Sequence, residues 1–273
     1  MLKRYGIETS YFDPLIGDGI SAHFKPNTRA VLVEAPGSQT FEMPDIPAIA
    51  KATHARDIIV LDDNTWATPL YHRSLEQGVD ISIQAATKYI GGHSDIMFGI
   101  ISANEKAWPL VADSIRQLGV CAGPDDVFLA LRGLRTLAVR LAHHQRAGLE
   151  MARWLAARPE VTDVLHPGLE TSPGHAIWKR DFTGASGLFS IVLQGAPQKA
   201  VDALLDTVQL FGMGYSWGGF ESLVIPFDCT SYRTATKWAP SGPTLRLHIG
   251  LENTDDLKAD LARGFEAFNA ARG

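Results

Sequence analysis

Three short apolar runs fall within the first ninety residues, at 29–34 (RAVLVE), 58–61 (IIVL) and 80–85 (DISIQA). Between the first two, residues 45–56 place Ile46, Ile49 and Ala50 on one helical face behind the acidic cap Asp45. This alternation constrains the chain more than any other feature. Strands that alternate with helices return to the same sheet through right-handed crossovers, so an α/β architecture with a mainly parallel sheet is expected. The second half reads differently. Residues 124–157 are helical in composition, with Val127, Leu131, Leu134, Leu141 and Leu149 at helical intervals and Gly133 as a point of kinking or division. After Arg158 and Pro159 come shorter segments rich in Gly and Pro, with strands expected at 164–168, 186–193 and 244–249. Thr254 is placed to cap a last helix whose Leu257, Leu261, Phe265 and Phe268 form an apolar stripe. A boundary near residue 135 follows, dividing a large domain (1–135) from a smaller C-terminal α+β domain (136–273).

Composition narrows the function classes. Of 273 residues, 45% are hydrophobic and 20% charged, with a formal net charge of -5, as in ordinary globular proteins. There is no basic stripe, which argues against nucleic acid or an anionic membrane as partner. No apolar run has the length of a bilayer span, and the first residues lack the apolar stretch of a signal peptide. Cys121 and Cys229 are isolated, which fits a reducing cytoplasm better than a disulfide framework and provides no zinc site. Leu2-Lys3-Arg4-Tyr5-Gly6 reads as a last helical turn with a glycine stop, so the chain is expected to begin inside a fold.

The chemistry-bearing region is 60–94, VLDDNTWATPLYHRSLEQGVDISIQAATKYIGGHS. It puts an acid, Asp63, directly after one expected strand and a lysine, Lys88, after the next. Ligands of open α/β sheets collect at the carboxyl ends of strands, so the two side chains are expected to face one crevice. His93 behind Gly91-Gly92, and the pair His143-His144, lack ligand spacing with a third partner, so no metal is expected. Nor do the glycines form a P-loop or dinucleotide fingerprint.

DNTWATP (63–69) and SIQAATKYIGGHSD (82–95) resemble the cofactor region of the Cys/Met-metabolism enzymes that use pyridoxal 5′-phosphate (PLP), the transsulfuration family. The resemblance continues in order through RGLRTLAVRL (132–141), the run from Trp178 to Ser190, YSWGGFESL (215–223) and LRLHIGLEN (245–253), covering essentially the whole chain. It implies a PLP-dependent transferase-like large domain (fold type I, aspartate aminotransferase-like) with a smaller C-terminal domain. It further implies Lys88 as the Schiff-base lysine and proton carrier, Asp63 as partner of the pyridinium nitrogen, and Thr87 as a phosphate ligand. Arg246 would bind the substrate α-carboxylate, while Tyr215, Ser216 and Trp217 would line the substrate end.

The chemistry suits those residue types. An aldehyde needs an amine, and an electron-accepting ring needs a carboxylate that keeps its nitrogen protonated. Opposite charges about 4 Å apart attract by roughly 4 kcal/mol at an effective dielectric near 20, equivalent to about three pKa units before desolvation. Arg246, the only charge in its strand-like run, suits a planar bidentate guanidinium on a carboxylate; a structural ion pair is the other reading. Trp217 reads either as pocket wall or as core packing. Ala85 is a departure, since some relatives carry a phosphate-contacting serine there.

Within the family the resemblance is to the β-lyase branch, because residues 216–219 read SWGG where γ-specific relatives typically read SLGG. The implied reaction cleaves L-cystathionine, or a related cysteine S-conjugate, to a thiol such as homocysteine, pyruvate and ammonia. A γ-lyase or γ-synthase is the alternative within the family, and a non-catalytic fragment that only oligomerises is the alternative of another class. The resemblance also implies a homotetramer built from dimers that share active sites. In a complete member the chain would start well before Met1, with further cofactor-cradle residues in that part.

Overall fold

The computed structural model describes residues 2–273. Leu2–Tyr5 forms one 3-10 turn, closed by Gly6 at φ +72, which matches the glycine-stopped turn read from the sequence. The first sheet has four strands in the order β1 (Ala30–Glu34), β2 (Ile59–Asp63), β3 (Ile81–Ala85) and β4 (Gly99–Ala103). The first three pair in parallel and β4 returns antiparallel. Two helices connect and flank these strands: α1 (Ile46–His54), capped by Asp45 accepting from Ala48 N at 3.1 Å, and the single turn α2 (Thr68–Tyr71). The three apolar runs are therefore the three parallel strands.

The 29–34 run, which its apolar residues alone would make a buried strand, is buried on one face only. Val31 and Val33 point into the core, whereas Leu32 on the other face is 60% exposed. In β2 the alternation extends two residues beyond the apolar run, so Asp62 and Asp63 belong to the strand and point to opposite faces.

Three helices follow: α3 (Trp108–Leu118), α4 (Pro124–Leu134) and α5 (Leu137–Ala156). The long helical stretch is divided as expected, but at Arg135–Thr136 rather than at Gly133. Gly133 remains helical because α4 lies directly on the turn after β3: a Cβ at Gly133 would sit 2.2 Å from the Ile90 carbonyl oxygen. The second sheet follows the order β5 (Val161–Leu165), β6 (Leu188–Leu193), β9 (Thr244–His248), β8 (Leu223–Phe227), β7 (Gly212–Met213). It is antiparallel except for the β7–β8 pair. Helices α6 (His175–Asp181), α7 (Gln198–Thr207) and α8 (Thr254–Arg272) complete the chain.

The stripe of α8 is buried as its spacing implies, with Leu257, Leu261, Phe265 and Phe268 all at 2% exposure or less. Its cap is Asn253, whose side chain accepts from Asp255 N at 2.8 Å, rather than Thr254. Thr254 is the first helical residue, and its hydroxyl donates to Glu150 at 3.0 Å.

Two cores result. Val33, Met43, Ile49, Val60 and Tyr89 lie in the first, and Met151, Phe189, Leu193, Leu247 and Phe265 in the second. Helix α5 serves both, since Leu137 and Leu141 enter the first and Ala147, Met151 and Leu155 the second. This shared helix joins the parallel sheet to the antiparallel one and so sets where their loops meet.

Candidate active site

The parallel pairing sets Glu34 and Asp63 in register at the carboxyl ends of β1 and β2. Their side chains therefore leave the same face. Asp63 is anchored by Thr65, whose backbone N–H and hydroxyl both donate to Oδ1, at 3.0 and 2.5 Å. The Thr65 hydroxyl in turn accepts from Ala85 N at 2.9 Å, linking the ends of β2 and β3. Among the described residues no hydrogen bond reaches Asp63 Oδ2, which leaves it for a partner.

Lys88 follows β3 by three residues on a tight turn, in which Lys88 N donates to Ala85 O and Gly92 N to Lys88 O. Its ammonium donates to Ser216 Oγ at 2.8 Å and lies 5.5 Å from the centre of the Trp217 ring. Burial and the positive charge of Arg246 both hold its basicity below that of a free lysine. Such a shift increases the share of uncharged, nucleophilic amine near neutral pH.

The loop carrying Ser216 and Trp217 lies directly on the lysine turn. Gly218 has φ +81, and a Cβ there would sit 2.9 Å from Lys88 Cα and 2.8 Å from Tyr89 N. Only glycine supports both that conformation and that approach. The loop is further held by His248, whose Nε2 accepts from Gly218 N at 3.1 Å. Burial and the neighbouring His144 keep His248 neutral, with its pKa pushed down to about 3. Trp217 is 9% exposed and packed beside Tyr89, as its core reading expects, and Lys88 Nζ lies over its ring.

Arg246 stands in the middle of β9, 7% exposed, between Ser190 of β6 and Ile225 of β8. It donates to the Tyr215 carbonyl at 2.6 Å, and among the described residues no carboxylate comes within the 4.0 Å of an ion pair. The ion-pair reading of Arg246 therefore does not hold. Its guanidinium is thus buried with donors to spare.

Of the expected residues, Lys88, Ser216, Trp217 and Arg246 come together, with Asp63 at the adjoining strand end. Tyr215 contributes its backbone carbonyl, while its side chain is 79% exposed. The Thr87 hydroxyl is engaged with Phe98, accepting from its N–H at 2.9 Å and donating to its carbonyl at 3.3 Å. It makes no hydrogen bond to Lys88 or Arg246. A cavity of about 540 Å³ bordered by Leu15, Met43, Val164, Ile177 and Trp238 lies elsewhere and contains none of these side chains.

Glu34 escaped the sequence reading. Burial and the nearby Asp63 push its carboxyl up to about 7, while Ser38 and Arg246 oppose the rise. The signal was present, since Glu34 ends its apolar run much as Asp63 ends the next. His248 and Gly218 were also missed as site-shaping residues, because only the fold reveals what they touch.

A parallel sheet presents an amine and a carboxylate from neighbouring strand ends, and a second sheet faces them with an unpaired guanidinium. That build defines an enzyme handling amino acids through a carbonyl cofactor. The chain belongs to the Cys/Met metabolism PLP-dependent enzyme family, whose profile matches residues 1–266. It is 51% identical to a putative cystathionine β-lyase of Rhizobium johnstonii, across 99% of this chain and 69% of that protein. Identity to the cystathionine β-lyase of Salmonella typhimurium is 48%, across 97% and 69% of the two chains. The fold matches the crystal structure of cystathionine γ-lyase from Lactobacillus plantarum complexed with L-serine. The TM-score is 0.88 at 29% identity, covering 98% of this chain and 72% of that one.

The donor set fits pyridoxal phosphate. A half-buried amine of lowered basicity and a carboxylate with one uncommitted oxygen are what the aldehyde and the ring nitrogen require. No helix among the described residues is long and apolar enough to cross a membrane.

Proposed function

We propose that this chain is a PLP-dependent carbon–sulfur β-lyase that acts on L-cystathionine or related cysteine S-conjugates. The observation that carries the reading is Arg246 of β9, a buried guanidinium without an acid of its own, which donates to the Tyr215 carbonyl at the start of the loop that covers Lys88. The β-lyase names of the relatives, which this chain matches over about 69% of their length, support the same assignment.

When bound, PLP supplies an aldehyde to capture the substrate amine and a ring that withdraws electrons from Cα. Lys88 and Asp63 would hold it, with Thr87 as a phosphate ligand once its hydroxyl proton turns from Phe98. Arg246 clamps the substrate carboxylate and so fixes which Cα bond is presented. The amine of Lys88, its basicity lowered by burial and by Arg246, takes the Cα proton as general base. Ser216 Oγ, 2.8 Å away, holds Nζ in line between those duties. Asp63 keeps the proton on the ring nitrogen. Trp217, together with exposed Tyr215, bounds the substrate end and leaves little room for the rotation that loss of a γ-substituent needs. Water and cystathionine would yield homocysteine, pyruvate and ammonia.

The cofactor domain would comprise residues 1–135 and the small domain 136–273. A homo-oligomer, a tetramer built from dimers that share active sites, is part of the same proposal. Its support is the run of half-exposed apolar side chains on α3 and α4: Trp108, Leu110, Leu118, Val127, Phe128 and Leu131.

The test is a visible spectrum of the protein with added PLP, beside K88A. A lysine-linked band that borohydride fixes onto Lys88, absent in K88A, is expected, with pyruvate rather than 2-oxobutyrate released from cystathionine. A K88A protein that turned over substrate at the normal rate would overturn the assignment; 2-oxobutyrate would move it to the γ-lyases.

A further inference from the structure

The turn that carries Lys88 leaves backbone carbonyls without backbone donors. Lys88 N, Gly91 N and Gly92 N are used by Ala85 O, Ala86 O and Lys88 O, but no backbone N–H reaches the carbonyls of Tyr89 or Ile90. Buried carbonyls of this kind must be paired by something else. Both are served by one side chain. Arg140, on the first turn of α5, donates from Nη1 to Tyr89 O at 2.6 Å and from Nη2 to Ile90 O at 3.2 Å. The same Nη2 donates to Gly133 O at 2.8 Å, at the end of α4, and Nε donates to Thr136 Oγ1 at 3.1 Å.

Arg140 is 7% exposed, and among the described residues no carboxylate pairs with it. A guanidinium buried without an acid is costly unless nearly all its donors are used. Four hydrogen bonds from a five-donor fork meet that condition, and three of them end on carbonyl oxygens. The backbone is shaped to admit the fork. Gly92 has φ +72, and a Cβ there would fall 2.1 Å from Nη1. Gly133 is likewise too close to Ile90 O for any side chain. Two glycines, two helix ends and the lysine turn therefore converge on a single cation that touches neither Lys88 Nζ nor Arg246.

We propose that Arg140 is a positioning residue for Lys88, holding the Tyr89 and Ile90 carbonyls so that Nζ is presented to Ser216 and to the cofactor in one geometry. The inference rests on reading Lys88 as the reactive lysine. Lysine is a poor substitute, because a single ammonium cannot span carbonyls on both α4 and the turn. A displacement of about 1 Å at a reacting group can cost on the order of 100-fold in rate.

The test compares R140K and G92A with the parent chain. The second keeps the arginine but expels it from its seat. Expected are a displaced pH midpoint of the lysine-linked absorbance band and a kcat lowered by about 10- to 100-fold, with KM changed much less. A folded R140K whose band titrates like the parent's overturns the proposal. If R140K does not fold, T136V, which removes the bond orienting Nε together with the Thr136 hydroxyl's own bond to Gly133 O, is read in its place, and an unshifted titration there overturns it equally. The measurement is repeated without PLP, on the rate at which an amine-directed aryl sulfonate modifies Lys88, mapped by peptide mass. A changed rate supports the positioning role even where no cofactor band forms, and an unchanged rate refutes it. Absence of the band in the parent chain would count against the cofactor reading alone.

Discussion

At the scale of single residues, Asp62 and Asp63 differ only in which face of β2 they occupy. Asp63 leaves the strand end toward Lys88's side of the sheet, while Asp62 turns into the first core, fully buried and with His72 Nε2 3.8 Å away. Burial, reinforced by the charges of Asp63 and Glu34 and resisted by Ser74, pushes the Asp62 carboxyl up to about 7. Burial also lowers the basicity of His72. A carboxyl with a raised folded-state pKa binds an extra proton in the native state. Its contribution to stability is therefore full below the unfolded value of 3.8 and is lost as pH rises through about 7. D62N removes that dependence. Its stability relative to the parent, from denaturant melts, is expected to rise between pH 4 and pH 8, with about 4 kcal/mol as an upper bound from three pKa units. A flat difference across that range would mean that Asp62 is ionised throughout in the folded chain. The two acids are adjacent letters in the sequence. That one is a site residue and the other a core residue was readable only from strand period, and the apolar run alone stopped short of both.

At the scale of elements, the site is made by two turns pressed together. The motif SWGG was visible as a string, and its tryptophan read as pocket wall or core packing. Its second glycine-dependent feature was not visible: Gly218 lets the loop lie on the backbone of Lys88, with His248 of β9 holding its N–H. G218A must strain φ +81 and push the loop off the lysine turn, at roughly 1–3 kcal/mol of stability. Ser216 then moves away from Nζ. The expected outcome is a fall of at least about 10-fold in kcat/KM with the cofactor band still present, measured by steady-state kinetics beside the spectrum. Unchanged kinetics would show that the contact is dispensable. The helices teach the same lesson. Composition located α4 and α5 as one stretch with a break, but the break falls at Arg135–Thr136, because Gly133 is kept helical for a contact 43 residues away in sequence, with Ile90.

At the scale of the whole molecule, α5 ties two cores together and so brings β9 over the ends of β1 to β3. The face of the parallel sheet that carries Glu34 and Asp63 is apolar below them, through Leu32, Leu61, Ile83 and Ile101, yet Leu32 and Ile101 are 60% and 41% exposed. Parallel sheets usually have both faces covered. Helix α3 buries none of its eleven residues, and Phe128 on α4 is 66% exposed. Replacing Phe128 by Asp, together with Leu131 by Glu, is expected to shift the protein from oligomer to monomer in light scattering behind size exclusion. A parent chain that is monomeric at working concentration would sink the oligomer proposal.

The linear chain by itself determined the three parallel strands, the helical stretches of α1 and of α4 with α5, and the last helix, because period-two and period-3.6 burial are local properties of strands and helices; β4, β8, α3 and α7 it did not mark. It also marked Lys88, Asp63 and Arg246, because each is a charge placed in or beside an apolar strand. Which charges would meet was decided by tertiary structure alone. Arg246 lies 158 residues from Lys88, Gly218 lies 130 residues from it, and Glu34 reaches Asp63 only through the β1–β2 register. Their pairing depends on how two sheets dock on one shared helix. That docking is set by close packing among many distant side chains, and no short stretch of sequence carries it.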